Sequence, residues 1–127
     1  MKVLALDYGA ARTGVAVSDP TGMLARPLTV VERAATEAGI AKLAELVRDE
    51  GAELVVVGLP LTLRGEHGAQ AQETERFVDS LRAVLDVPVE VFDERFTTAL
   101  AGGGGSAPED ARAAAHLLSS YLTWASR

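Results

Sequence analysis

Short apolar runs separated by turn residues open the chain. Val3 to Leu6, Gly14 to Val17 and Pro27 to Val31 are β-rich segments of this kind, and they predict an antiparallel meander. The period then changes. After Thr36, the apolar residues Ile40, Leu43 and Val47 share one helical face, and Gly51 follows as the cap. Glu53 to Gly58 carries the unalternated run LVVV, the pattern of a central strand covered on both faces. It stops at Gly58-Leu59-Pro60. A second helix is expected from about Gln70 to Leu85, burying Thr74, Phe77, Val78, Leu81 and Leu85, and Pro88 leads into a strand from Val89 to Phe92. The last helix is expected from about Pro108 to Trp124, with Ala114, Leu117, Leu118 and Tyr121 on its apolar stripe.

Composition narrows the class. One hundred and twenty-seven residues, 48% of them hydrophobic, suit a single domain over 1–127 with a substantial core. There is no cysteine, so disulfides and thiolate metal sites are excluded. No apolar run reaches the roughly 20 residues of a membrane span, and the amino terminus enters a strand without a signal-peptide pattern, so a cytoplasmic protein is expected. The net charge of −6 argues against a protein that coats nucleic acid electrostatically. Gly102 to Ser106 reads GGGGS, a flexible tether that is expected to be an engineered replacement for a longer segment, the alternative being a natural glycine-rich loop.

Against this background the acids at element ends carry the candidate chemistry. Asp7 closes the first apolar run on the face of Val3 and Ala5, where a carboxylate needs a partner. Asp93 and Glu94 follow the last strand. The plain reading of that pair is a solvated turn; the functional one favours Glu94, for its longer reach, with Asp93 as the alternative. Asp110 fits ordinary first-turn helix electrostatics, yet it heads the stripe that continues through Ala114, Leu117, Leu118 and Tyr121. Acids converging at one sheet edge are costly unless a divalent cation neutralises them, which is how a two-metal phosphodiester site is built. Arg95 is a donor for phosphate or for a neighbouring acid. His67 and His116 have no metal-pair spacing; His116 is expected at the surface and His67 in a polar loop beside Arg64, Gly65 and Gly68. Ser119 and Ser120 lack a visible base partner.

Four segments, LALDYGAARTGVAVSD, VVVGLPLTLRGEHG, VFDERFTT and DARAAAHLLSSYL, resemble in order the signatures of the YqgF (RuvX) family. This is the pre-16S rRNA nuclease or Holliday-junction-resolvase-like branch of the RNase H-like superfamily. The resemblance spans almost the whole chain. It implies a three-layer α/β fold, with a mixed five-stranded sheet whose first three strands are antiparallel and with helices on both faces. It implies catalytic Asp7, Glu94 and Asp110, with Asp7, Asp93, Glu94 and Asp110 as the candidate ligands of Mg²⁺ or Mn²⁺. Gly9, Arg12, Arg64 and Arg95 are the implied substrate contacts. Gly14, Gly58 to Leu61, Gly65 and Gly68 match the family's loop patterns. Two departures stand out: GGGGS replaces a helical, often basic segment, and resolvase relatives carry their second acid after the fourth strand, where this chain has Gly58-Leu59-Pro60.

The implied activity is metal-dependent phosphodiester hydrolysis, with an RNA precursor favoured over a four-way DNA junction, by a monomer or homodimer. Two readings of other classes accompany it. Asp7-x-Gly9 followed by Gly14-Val15-Ala16 also resembles the first phosphate loop of the actin and sugar-kinase fold, and a non-catalytic adaptor that binds nucleic acid would keep the same fold.

Overall fold

The computed structural model describes residues 1–60, 68–96 and 107–127. Five strands, β1 (Val3–Asp7), β2 (Arg12–Ser18), β3 (Ala25–Glu32), β4 (Leu54–Leu59) and β5 (Val89–Asp93), form one sheet in the order β3-β2-β1-β4-β5. The first three are antiparallel neighbours, while β4 lies parallel to β1 and β5 parallel to β4. Among the described residues, three helices accompany the sheet: α1 (Glu37–Glu50), α2 (Ala69–Val84) and α3 (Glu109–Ala125). A single 3₁₀ turn, Glu94–Phe96, follows β5 directly.

Period-2 alternation sorts the strand side chains between two cores. Leu4, Leu6, Val15, Val55, Val57 and Val89 face α1 and α2, joining Leu43, Val47, Phe77 and Leu81. Val3, Ala5, Ala16, Val56 and Phe92 face α3, joining Ala114, Leu117, Leu118 and Tyr121. The unalternated LVVV run thus reflects a strand with apolar cover on both sides, and β4 is central as its pattern predicts. Leu117 and Leu118 are almost fully buried, each worth about 2 kcal/mol or more of transfer free energy to the α3 interface.

Local signals account for most element ends. The Thr36 hydroxyl accepts from the Gly39 amide at 3.1 Å, and Gly51 stops α1 in the left-handed region at φ 65°. At the opposite edge of the sheet from Asp7, the Ser18 hydroxyl accepts from the Val3 amide at 2.8 Å, which ties the start of β1 to the end of β2. Three expectations shift. Leu85 caps α2 and is only partly buried, Pro108 lies one residue before α3 rather than within it, and His116 is half-buried rather than at the surface. The last follows from α3 lying flat on the sheet, which covers positions beside its main stripe as well as the stripe itself. The GGGGS segment, Leu61, Arg64, Gly65 and His67 lie outside the described residues.

Candidate active site

Asp7 stands at the carboxyl end of β1, on the α3 face with Val3 and Ala5. In an α/β sheet this edge is where ligands bind, because the strands end there and the connections open a crevice. Across from Asp7 in the β1–β2 register is Gly14. A Cβ at that position would overlap the backbone carbonyl of Asp110, so the first turn of α3 lies directly against the strand there. Only glycine permits that approach. This contact brings the start of α3 to the Asp7 end of β1, close enough for the Asp110 charge to act on Asp7.

Glu94 arrives from the other side. It belongs to the 3₁₀ turn after β5, yet its side chain folds back over β4: a Cβ at Gly58 would lie 3.0 Å from both Cγ and Oε1 of Glu94, and 3.1 Å from a Leu117 methyl. The carboxylate therefore occupies the space at the end of the fourth strand, where the chain itself has Gly-Leu-Pro. There it is hydrogen-bonded to Asp7.

Both carboxyl groups are held more readily protonated than a free acid, for a clear physical reason. Burial pushes the Glu94 carboxyl up to about 7, and the charge and hydrogen bond of Asp7 and the charge of Asp93 add to the rise. Asp7 is also raised, first by burial, with the Glu94 hydrogen bond pulling it back and the charge of Asp110 adding to it. Two acids this close do not both ionise cheaply, and a proton or a metal ion must sit between them.

The other candidates are placed differently. The Asp93 carboxylate is gripped by Arg95 within its own turn, with Arg95 Nε at 2.8 and 3.1 Å from the two oxygens and the Arg95 amide at 2.9 Å. That pairing holds Asp93 below the usual carboxylate range and ties it to Arg95 rather than to Asp7. Arg12, on the α3 face of β2, sets its Nε 3.0 Å from Oδ2 of Asp110. Gly9 lies in the β1–β2 turn, its amide donating to the Thr13 hydroxyl at 3.4 Å. Among the described residues, no three Asp, Glu or His side chains converge closely enough to form a ready metal cage. The donor set nevertheless suits a hard cation: carboxylate oxygens are what Mg²⁺ and Mn²⁺ take, and a hydrogen-bonded acid pair with both groups shifted upward is a site that such an ion neutralises.

Two features escape sequence reasoning in part. Gly14 and Gly58 read as members of motifs, whereas they are spaces reserved for Asp110 and Glu94; the available signal was a glycine inside an apolar strand pattern, which marks close approach. Tyr8 gave no signal of its own. It stacks on Phe77 at 4.4 Å between ring centroids, and its hydroxyl donates to Glu73 at 3.3 Å, which fixes the turn after Asp7 against α2.

Strand order, helices on both faces and acids at the carboxyl edge of β1 and β5 define an α/β protein of the RNase H-like type. The chain superposes on Thermus thermophilus RuvC with a TM-score of 0.69 at 18% identity, covering 99% of this chain and 96% of that one, a likeness of fold. It belongs to the RuvX family, described as Holliday junction resolvases, whose pattern matches residues 1–124. A relative from Chloroflexus aggregans, named "Putative pre-16S rRNA nuclease", is 54% identical over 99 residues, or 78% of this chain and 70% of that protein. One of the same name from Rubrobacter xylanophilus is 47% identical over 130 residues, 95% of this chain and 91% of its own length.

Proposed function

We propose that the protein is a metal-dependent nuclease that hydrolyses phosphodiester bonds in the 5′-end processing of pre-16S rRNA, with Asp7, Glu94 and Asp110 as its catalytic carboxylates. The observation that carries the reading is the hydrogen-bonded Asp7–Glu94 pair at the carboxyl edge of the sheet, with Asp110 beside it. Family membership and the names of the relatives support the substrate class. Mg²⁺ or Mn²⁺, when bound, supplies water activation and charge stabilisation at phosphorus. Asp7 holds the central position between the other two acids and gives up its hydrogen bond to Glu94 as the pair deprotonates. Glu94 closes one side of the site over β4, and Asp110 closes the other from α3. Arg12 and Arg95 orient phosphate oxygens, each exchanging a carboxylate partner for a substrate one. Until then, Asp93 keeps Arg95 at the rim.

The acidic surface favours a short single strand held at the site over a broad duplex platform. Such a protein acts in the cytoplasm, and among the described residues no helix is long and apolar enough to cross a membrane. The test is cleavage of two labelled substrates, a single-stranded rRNA-precursor fragment and a four-way DNA junction, in Mn²⁺, Mg²⁺ or EDTA. The expected result is metal-dependent cutting of the RNA that disappears in a folded Asp7→Asn variant. Symmetric paired nicks in the junction instead would assign a resolvase, which requires two sites and hence a dimer. Full activity in Asp7→Asn would refute the site.

A further inference from the structure

We infer that Arg12 is a built-in counter-ion for Asp110: it holds the third carboxylate away from the Asp7–Glu94 pair until a divalent cation claims it, and the same exchange frees its guanidinium for substrate phosphate. The inference rests on the nuclease reading and adds an order of assembly to it. Two observations carry it. The Arg12 Nε lies 3.0 Å from Asp110 Oδ2, so a cation of the protein's own already pairs with the Asp110 carboxylate. And although Asp7 and Glu94 meet, they and Asp110 do not form a three-acid cage among the described residues.

The backbone does not account for that shortfall. The Asp110 backbone lies hard against Gly14, the register partner of Asp7, so the start of α3 is fixed on β2 opposite Asp7. What remains free is side-chain rotation. Arg12 and Gly14 lie two residues apart on β2, which puts the Arg12 side chain on the same face as the first turn of α3. Its side chain is 65% exposed and that of Asp110 38%, so both can swing without disturbing the core.

An ion pair this exposed is weak and readily surrendered. A divalent cation brought by Asp7 and Glu94 repels the guanidinium and attracts the Asp110 carboxylate, so one event breaks the pair and completes the ligand set. Arg12 is then a cation without its partner at the mouth of the site, which is where a phosphate arrives. By linkage, phosphate that draws Arg12 outward must raise metal affinity by the same factor that metal raises phosphate affinity. Arg12 is thus a positioning residue in the metal-free protein and a substrate contact in the loaded one.

The test is a Mn²⁺ titration of the full chain without nucleic acid, read from the electron paramagnetic resonance of free Mn²⁺. Arg12→Gln is expected to tighten Mn²⁺ binding about three- to fivefold, the size of a partly exposed ion pair. Arg12→Lys, which keeps a cation beside Asp110, should restore the parent affinity. In an Asp110→Asn background, Arg12→Gln should give no gain, because there is no carboxylate left to release. Unchanged or weaker binding in Arg12→Gln, or an equal gain in the Asp110→Asn background, overturns the inference. A second measurement needs no variant: a phosphorothioate single-stranded RNA added to the parent protein should tighten Mn²⁺ binding, and an unchanged Mn²⁺ affinity with RNA bound overturns the coupling. Asp7→Asn separates the two layers of reasoning. Loss of Mn²⁺ binding in that variant upholds the nuclease site whatever Arg12 does, whereas a parent protein that binds no Mn²⁺ overturns both.

Discussion

Replacing Glu94 with Gln should make the metal-free protein more stable at pH 8 while leaving it nearly unchanged at pH 5. The Glu94 carboxyl titrates at about 7 in the folded chain, against an ordinary 4.5 when unfolded. Between those values the folded state holds a proton that the unfolded state has released, so stability falls as pH rises across that window. Below about 4.5 both states are protonated and nothing is lost; above about 7 the penalty is complete. At about 1.4 kcal/mol per pH unit the full displacement corresponds to roughly 3 kcal/mol. Glu94 is only half-buried, and solvent screening reduces this to about 1–2 kcal/mol. Gln removes the charge and keeps an N–H to donate to Asp7, so it retains the protonated geometry at every pH. Urea unfolding in EDTA at pH 5, 6.5 and 8 measures the effect. With an m-value of about 1.5 kcal/mol per molar, the two midpoints should coincide at pH 5 and differ by about 1 M at pH 8, Gln being the more stable. Parallel midpoints across the three pH values would refute the account of a Glu94 carboxyl raised by burial beside Asp7.

Other outcomes follow from the same geometry. Mn²⁺ affinity of the parent should drop as pH falls below about 7, because the cation must displace the proton held by Glu94, and the drop should be shallower in Glu94→Gln; calorimetric titrations at pH 6 and 8 decide it. Gly14→Ala should destabilise the fold by about 1–3 kcal/mol or more, since its Cβ overlaps the Asp110 carbonyl and α3 must lift; urea unfolding reads the cost, and a neutral result would contradict the close approach. Gly58→Ala meets only the flexible end of Glu94 and one Leu117 methyl, so it should cost about 1 kcal/mol or less in the same assay while impairing metal binding more than Gly14-independent core variants such as Leu54→Val do.

The architecture and the candidate acids were legible in the order of residues along the chain. Apolar runs of period 2, helical spacing after Thr36 and the Gly51 cap are local signals, readable because each depends on the chain's own periodicity and capping chemistry. The doubly covered LVVV run marked β4 as central for the same reason. Four ordered motifs brought Asp7, Glu94 and Asp110 forward together, though Asp7 lies far from the other two along the chain. Which groups meet became clear once the chain was folded. Nothing in the spacing of Asp93 and Glu94 distinguishes them; Arg95 takes one, and the room above Gly58 admits the other to Asp7. Nor does β2 announce that Arg12 will find Asp110, because that pair forms only when α3 lies against Gly14. Contacts between distant segments depend on how closely two backbones approach. That distance is set by side chains that are absent, the two glycines, as much as by those present.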